Sequence, residues 1–192
     1  MNIFYLDNDP VICAEMHNDK HVVKMILEYA QLLSTAHRLL DGVESVGLSK
    51  TGRKQTRYVL PDERESILYS ATHNNHPSAV WCRLGDSNYI WLAKLLKACC
   101  NEYTYRYGKI HKCEQTGLVQ ELFSKLPTNL PRQVNFTGPT PAMPDDCKVE
   151  NDVLSSYRNY YNLNKTHLAS WKGKINSRSA PPWFTPDVAY KY

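Results

Sequence analysis

Four side chains near the start of the chain carry the groups that acid–base chemistry needs: His17, His21, Lys24 and Glu28. Their spacing puts them on one face of a helix, which turns about 100° per residue. On a wheel drawn through residues 17–40, Gln31, Thr35 and Arg38 join them in an arc roughly 100° wide. Apolar residues fill most of the remainder, with Asp19 and His37 as exceptions. An ordinary surface helix is polar over about half its circumference. So narrow a polar seam faces either a wet cleft or a surface strip between two packed neighbours. Histidine, lysine, glutamate and glutamine together supply donors, acceptors and tunable protons, which favours the cleft.

The same residues admit a metal reading, because His17 and His21 stand at i and i+4, where two imidazoles share a helical face. Glu28 lies two turns beyond His21, about 10 Å away, and Lys20 and Lys24 oppose a cation. A metal-dependent hydrolase through His17 and His21 therefore stands as an alternative, and the main reading calls for no metal and no cofactor. No GxSxG, phosphate-binding glycine loop or GxGxxG occurs. The available amine nucleophiles are Lys20, Lys24 and the α-amine of Met1. An α-amine titrates near 8, so a fraction is unprotonated at neutral pH and suited to Schiff-base chemistry. Met1 is followed by the bulky Asn2, so retention of Met1 is expected.

Three further groups mix aromatic, amide and basic side chains: Asn75-His76-Pro77 with Trp81, the run Asn101–Lys109, and Tyr157-Arg158-Asn159 with Tyr160 and Tyr161. In the second, Glu102 and Arg106 are four apart and can pair, and Tyr103 and Tyr107 share a neighbouring face. Tyrosine interleaved with Arg, Asn and Lys can stack bases and hold phosphates. For any single tyrosine, packing in a helical core is the plainer reading.

The elements that must position these groups are helices. Asp9-Pro10 reads as a cap with proline at the first helical position, giving a short helix to about residue 17. The clearest helix spans 19–40 and stops at Gly42. Residues 43–60 read as a loop or weak hairpin. Pro61-Asp62 opens a helix to about 72, broken by the run 73–77. A short helix ends at Gly85, a long one covers 87–107 before Gly108, and another covers about 114–125. Five prolines in 127–147 require an extended crossing segment. A last helix runs from about 152 to 163, with a shorter one after it. The fold class expected is all-α: a compact single-domain helical bundle, 1–192, with a proline-rich crossing segment and a basic, partly irregular tail at about 172–192.

At 192 residues the chain is long enough to bury a sizeable core. No apolar run reaches the roughly 18 residues of a membrane span, and MNIFYLDNDP lacks the features of a secretory signal. The six cysteines form no CxxC pair or evident disulfide framework, so a cytoplasmic, reducing setting without a membrane partner is expected. The net charge is only +4, but it is uneven. From Tyr157 onward, Arg158, Lys165, Lys172, Lys174, Arg178 and Lys191 face the single acid Asp187, and a second cluster is Lys50, Arg53, Lys54 and Arg57. Two basic segments on a nearly neutral body suit a polyanion; solvated surface is the alternative.

Taken in order, Asp19-Lys20-His21 with Glu28, Asn75-His76-Pro77, Trp81, the long helix from Tyr89 to Arg106-Tyr107-Gly108, and Tyr157-Arg158-Asn159 cover about two-thirds of the chain. This pattern resembles the pyrimidine-dimer DNA glycosylase superfamily of endonuclease V type, which includes phage enzymes and larger bacterial relatives. The run from Met16 to Arg38 is also similar to phage proteins. The resemblance implies a helical, metal-free DNA-repair enzyme with DNA as partner, in which the terminal amine attacks C1′ of the sugar and a nick follows by β-elimination. A host-cytoplasmic location would follow for a phage-encoded chain. Carried over, the assisting glutamate is Glu28, with His21, Lys24 and Met1 as catalytic neighbours. His17, Gln31, Asn75, His76, Arg106, Tyr157, Arg158 and Asn159 would bind substrate. The phage enzymes place arginines one residue before and three after the glutamate; here Leu27 and Gln31 stand there. A non-catalytic nucleic-acid-binding protein on the same fold is the other alternative.

Overall fold

The computed structural model describes residues 1–49 and 51–189. Lys50 and Lys191, counted above among the basic clusters, lie outside the described residues. The helices are α1 (Pro10–Met16), α2 (Asp19–Asp41), α3 (Arg64–Ile67), α4 (Pro77–Cys82), α5 (Asp86–Tyr107), α6 (Lys112–Gln115), α7 (Leu118–Ser124) and α8 (Val153–Asn164). An antiparallel hairpin, β1 (Val43–Leu48) and β2 (Lys54–Val59), makes the fold mostly helical rather than all-α. Its register pairs Val43 with Val59 and Leu48 with Lys54. Both strands are largely exposed, as are Arg53 in the turn and Lys54 and Arg57 on β2.

Long helices α2 and α5 pack together, and α1, α4 and α7 close around them. The Asp9 carboxylate accepts the amides of Val11 and Ile12 and starts α1. Asn18 caps α2 through the amide of His21. Gly108 ends α5 at φ 63°, a conformation that an L side chain rarely adopts. Residues Ile3 to Leu6 run buried across the core beside Tyr29, Tyr157 and Tyr161.

Three expected helices differ from the sequence reading. The helix expected from 61 to 72 is one turn long. The guanidinium of Arg38 takes the carbonyls of Tyr58, Glu65, Leu68 and Tyr69 and pairs with the Glu65 carboxylate. Carbonyls spent on Arg38 hold this stretch in a turned, extended path. The helix expected over 114–125 is divided by Gly117 at φ 79°. The short helix expected after α8 is a single 3-10 turn, Thr166–Leu168. All six cysteines are buried free thiols. No helix among the described residues is long and apolar enough to cross a membrane.

Candidate active site

The middle of α2 presents Glu28 at the surface, 14% exposed. One carboxylate oxygen lies 3.9 Å from the Met1 α-amine and the other 3.1 Å from Lys24 Nζ. Lys24 is well exposed, one helical turn before Glu28, so that pair is a surface contact of small energetic weight. The α-amine contact is held by far more structure. Asn2 donates through Nδ2 to the carbonyl of Ala142 at 2.8 Å, and its Oδ1 accepts the Tyr157 hydroxyl at 2.8 Å. Leu6 gives its carbonyl to the guanidinium of Arg158, with two contacts of 3.0 Å. The amide of Phe4 donates to the Tyr29 hydroxyl.

His17 completes that clamp. Its Nδ1 must donate to the carbonyl of Cys13 at 2.7 Å, so its Nε2 accepts the Tyr29 hydroxyl at 2.8 Å. It is fully buried, and burial holds its pKa down at about 4. Both ring nitrogens are spent on protein partners, which leaves no lone pair for a metal. His21 lies against Phe4, with ring centroids 4.1 Å apart, and its Nδ1 is 2.5 Å from the Tyr161 hydroxyl. Burial first, then the neighbouring His17 and Lys165, push its pKa down to about 2. It is an uncharged core ring. No group of three potential ligands that could hold a metal occurs among the described residues.

The polar seam of the wheel is therefore only partly a surface. Thr35 and Arg38 are buried like His17 and His21, Thr35 against the backbone of Thr72. What opens to solvent on α2 is the sector of Lys20, Val23, Lys24 and Leu27, with Glu28 and Gln31 half-buried at its edge. That sector is rotated roughly 50° from the arc drawn on the wheel.

His76 approaches the site from the loop before α4. It is half-buried; its Nδ1 accepts the amide of Ser78, and burial followed by the Met1 α-amine and His73 lowers its pKa, with Glu28 opposing. Asn75 is exposed beside it. Asn74 Oδ1 in the same loop and Ser78 Oγ in the first turn of α4 are buried with no hydrogen-bond partner among the described residues. Buried polar atoms left unmatched cost about 1–3 kcal/mol each.

Four residues assigned to substrate are placed elsewhere by the fold. Arg106 is fully buried; it pairs with Glu102 at 2.6 Å and Asp19 at 3.0 Å and donates to the carbonyls of Glu15 and His17. It fastens α5 to the α1–α2 turn and faces no solvent. Tyr157 is fully buried on Asn2, and Asn159 is buried on the same helix. Arg158 serves the backbone of Leu6 and lies over the Trp183 ring. The residues not foreseen are Asn2 and Tyr29, whose contacts position Met1. Their partners stand 155 and 25 residues away, a distance at which no local pattern signals them. No family model, curated protein or solved structure matches the chain.

Proposed function

We propose that the chain is a DNA-processing enzyme of the glycosylase and AP-lyase kind, acting on the glycosidic bond of a nucleobase. The observation that carries this reading is the Met1 α-amine held 3.9 Å from Glu28. An amine beside a carboxylate that can act as its general base is a pair suited to Schiff-base chemistry. The amine nitrogen bonds to C1′ as the bond from C1′ to the base breaks, and the base leaves with the electron pair and takes up a proton. The nitrogen gives up a proton, the ring oxygen takes one up, and the bond from C1′ to that oxygen breaks as the nitrogen lone pair forms the iminium. Glu28 stabilises the positive charge that develops on the sugar and accepts the C2′ proton, and the 3′ phosphate departs. Lys24, 3.1 Å from the same carboxylate, is the alternative amine. The resemblance to the pyrimidine-dimer glycosylases supports the same assignment, with Leu27 and Gln31 marking a different contact to the target base or strand.

The test is borohydride trapping. Incubated with abasic-site DNA and borohydride, the protein is expected to form a covalent adduct that maps to residue 1. Glu28→Gln is expected to reduce strand nicking by about 100-fold or more, the range of a lost general base. No adduct removes the mechanism, and an adduct confined to Lys24 moves the nucleophile.

A second reading rests on the exposed basic hairpin carrying Arg53, Lys54 and Arg57. Binding of nucleic acid without turnover would use that surface, and would fall with salt but survive Glu28→Gln.

A further inference from the structure

One turn before Glu28 on α2, a cleft of about 740 Å³ opens between the start of α2, the end of α5 and the segment 167–174. Lys20 and Lys174 supply its charge, Lys24, paired with Glu28, lies at its edge, and Tyr103 and Tyr107 supply aromatic wall with Val23 beneath. Its one carboxylate, Asp19, is already committed. It accepts Ser170 Oγ at 2.6 Å and the amides of Lys172 and Gly173, and it pairs with Arg106. Among the described residues, no carboxylate forms an ion pair with Lys20 or Lys174, whose side chains are exposed. The cleft is thus a hollow with ring walls in which Lys20 and Lys174 have no carboxylate partner among the described residues.

The walls are fixed. The amides of Lys174 and Ile175 both donate to the carbonyl of Arg106 at 2.9 Å, and the amide of Asp19 donates to Ser170 at 2.7 Å. Gly173 sits at φ 57°, and a Cβ there would strike the Asn176 carbonyl and Arg106. Tyr107 donates its hydroxyl to the Asp19 carbonyl. The Tyr103 ring lies 5.1 Å from Tyr107, tilted by 43°, and meets His111 edge-on at 5.1 Å. A ring held in this way loses little freedom when a second ring stacks on it.

We propose that this cleft binds an unpaired nucleotide unit, its phosphate between Lys20 and Lys174 and its base against Tyr103. Ammonium groups select the phosphate, and a π-face accepts any base. Duplex DNA keeps its bases stacked inside, so the cleft favours single-stranded or extruded nucleotides. Lys20 and Glu28 are eight residues apart on α2, about 12 Å along its axis, so a strand held here continues to Glu28 past Lys24. The inference rests on the DNA reading only for that continuation; binding in the cleft stands without it.

The probe is a fluorescently labelled six-nucleotide single-stranded DNA, with deoxyadenosine monophosphate and inorganic pyrophosphate as competitors against the full chain. Tyr103→Ala is expected to weaken binding on the order of ten-fold, and Tyr103→Phe to retain it. Lys20→Ala and Lys174→Ala are each expected to lower the slope of log affinity against log salt by about 0.7. The monophosphate should displace the oligonucleotide better than pyrophosphate does. Unchanged affinity and slope in both lysine variants overturn the proposal, as does pyrophosphate competing equally. Oligonucleotide binding that depends on Tyr103, in a protein that fails to trap with borohydride, supports the cleft and counts against the reaction at Glu28.

Discussion

Mild acid should destabilise this protein well above the pH at which its carboxylates protonate. Three histidines are buried in the neutral form, and each is locked there by its partners. Arg64 donates to Nδ1 of His37 at 2.9 Å, so Nε2 must carry the hydrogen toward the Tyr89 hydroxyl at 2.8 Å, which itself donates to the carbonyl of Leu122. A proton added at Nδ1 would meet the Arg64 guanidinium. Burial, then Arg64, holds the His37 pKa at about 4; burial holds His17 at about 4 and His21 at about 2. In the unfolded chain each returns to about 6.5. Folded values lie below unfolded ones, so the unfolded state takes up the protons. The stability is complete above 6.5 and is lost as the pH falls from there toward 4. Between pH 7.5 and 5.5 each histidine costs about 1.4 kcal/mol, about 4 kcal/mol for the three. With a urea dependence of about 2 kcal/mol per molar for a chain of this size, the unfolding midpoint should fall by about 2 M. Urea titrations followed by circular dichroism at the two pH values make the measurement. His76 and His111, also lowered, add in the same direction. His37→Gln should flatten the pH slope by about a third. A midpoint unchanged between pH 7.5 and 5.5 would refute the buried, neutral assignment of these rings.

Three other outcomes follow from the same contacts. Arg106→Met removes a fully buried cation from Glu102 and Asp19 and should lower stability by about 3–5 kcal/mol, read as a fall in the urea midpoint. Tyr157→Phe deletes only the hydroxyl that holds Asn2; it should cost about 1 kcal/mol of stability yet reduce nicking more than ten-fold, because the α-amine loses its position. Equal nicking by that variant would show that the clamp does not position the amine. Thiol reagents should label native protein slowly at all six cysteines and fast only after unfolding, since every one is buried and burial raises the Cys13 and Cys100 thiols to about 12.

Much of the scaffold was legible from local pattern. The apolar spacing of α2 and α5, Asp9 before Pro10 and Gly108 after Tyr107 announce helices whose ends agree with the structure to within a residue or two. The weak hairpin reading at 43–60 becomes β1 and β2. Local pattern fails where a polar group has a distant partner. The wheel treats His17, Thr35 and Arg38 as surface because they are polar, but each is buried on a hydrogen bond that periodicity does not report. Arg106 and Tyr157 follow the same rule: side chains that suit phosphates or bases suit buried carboxylates and amides equally well. The approach of Met1 to Glu28 depends on Asn2 meeting Tyr157 across 155 residues, which only the tertiary fold brings about.

The central claim is that an amine at Glu28 forms a covalent bond with a deoxyribose carbon. Borohydride trapping on abasic-site DNA, followed by mass mapping of the adduct, reads that bond directly. The account predicts a single adduct on residue 1, lost when the α-amine is blocked by selective transamination. An absence of adduct under conditions where the protein binds the same DNA would contradict it.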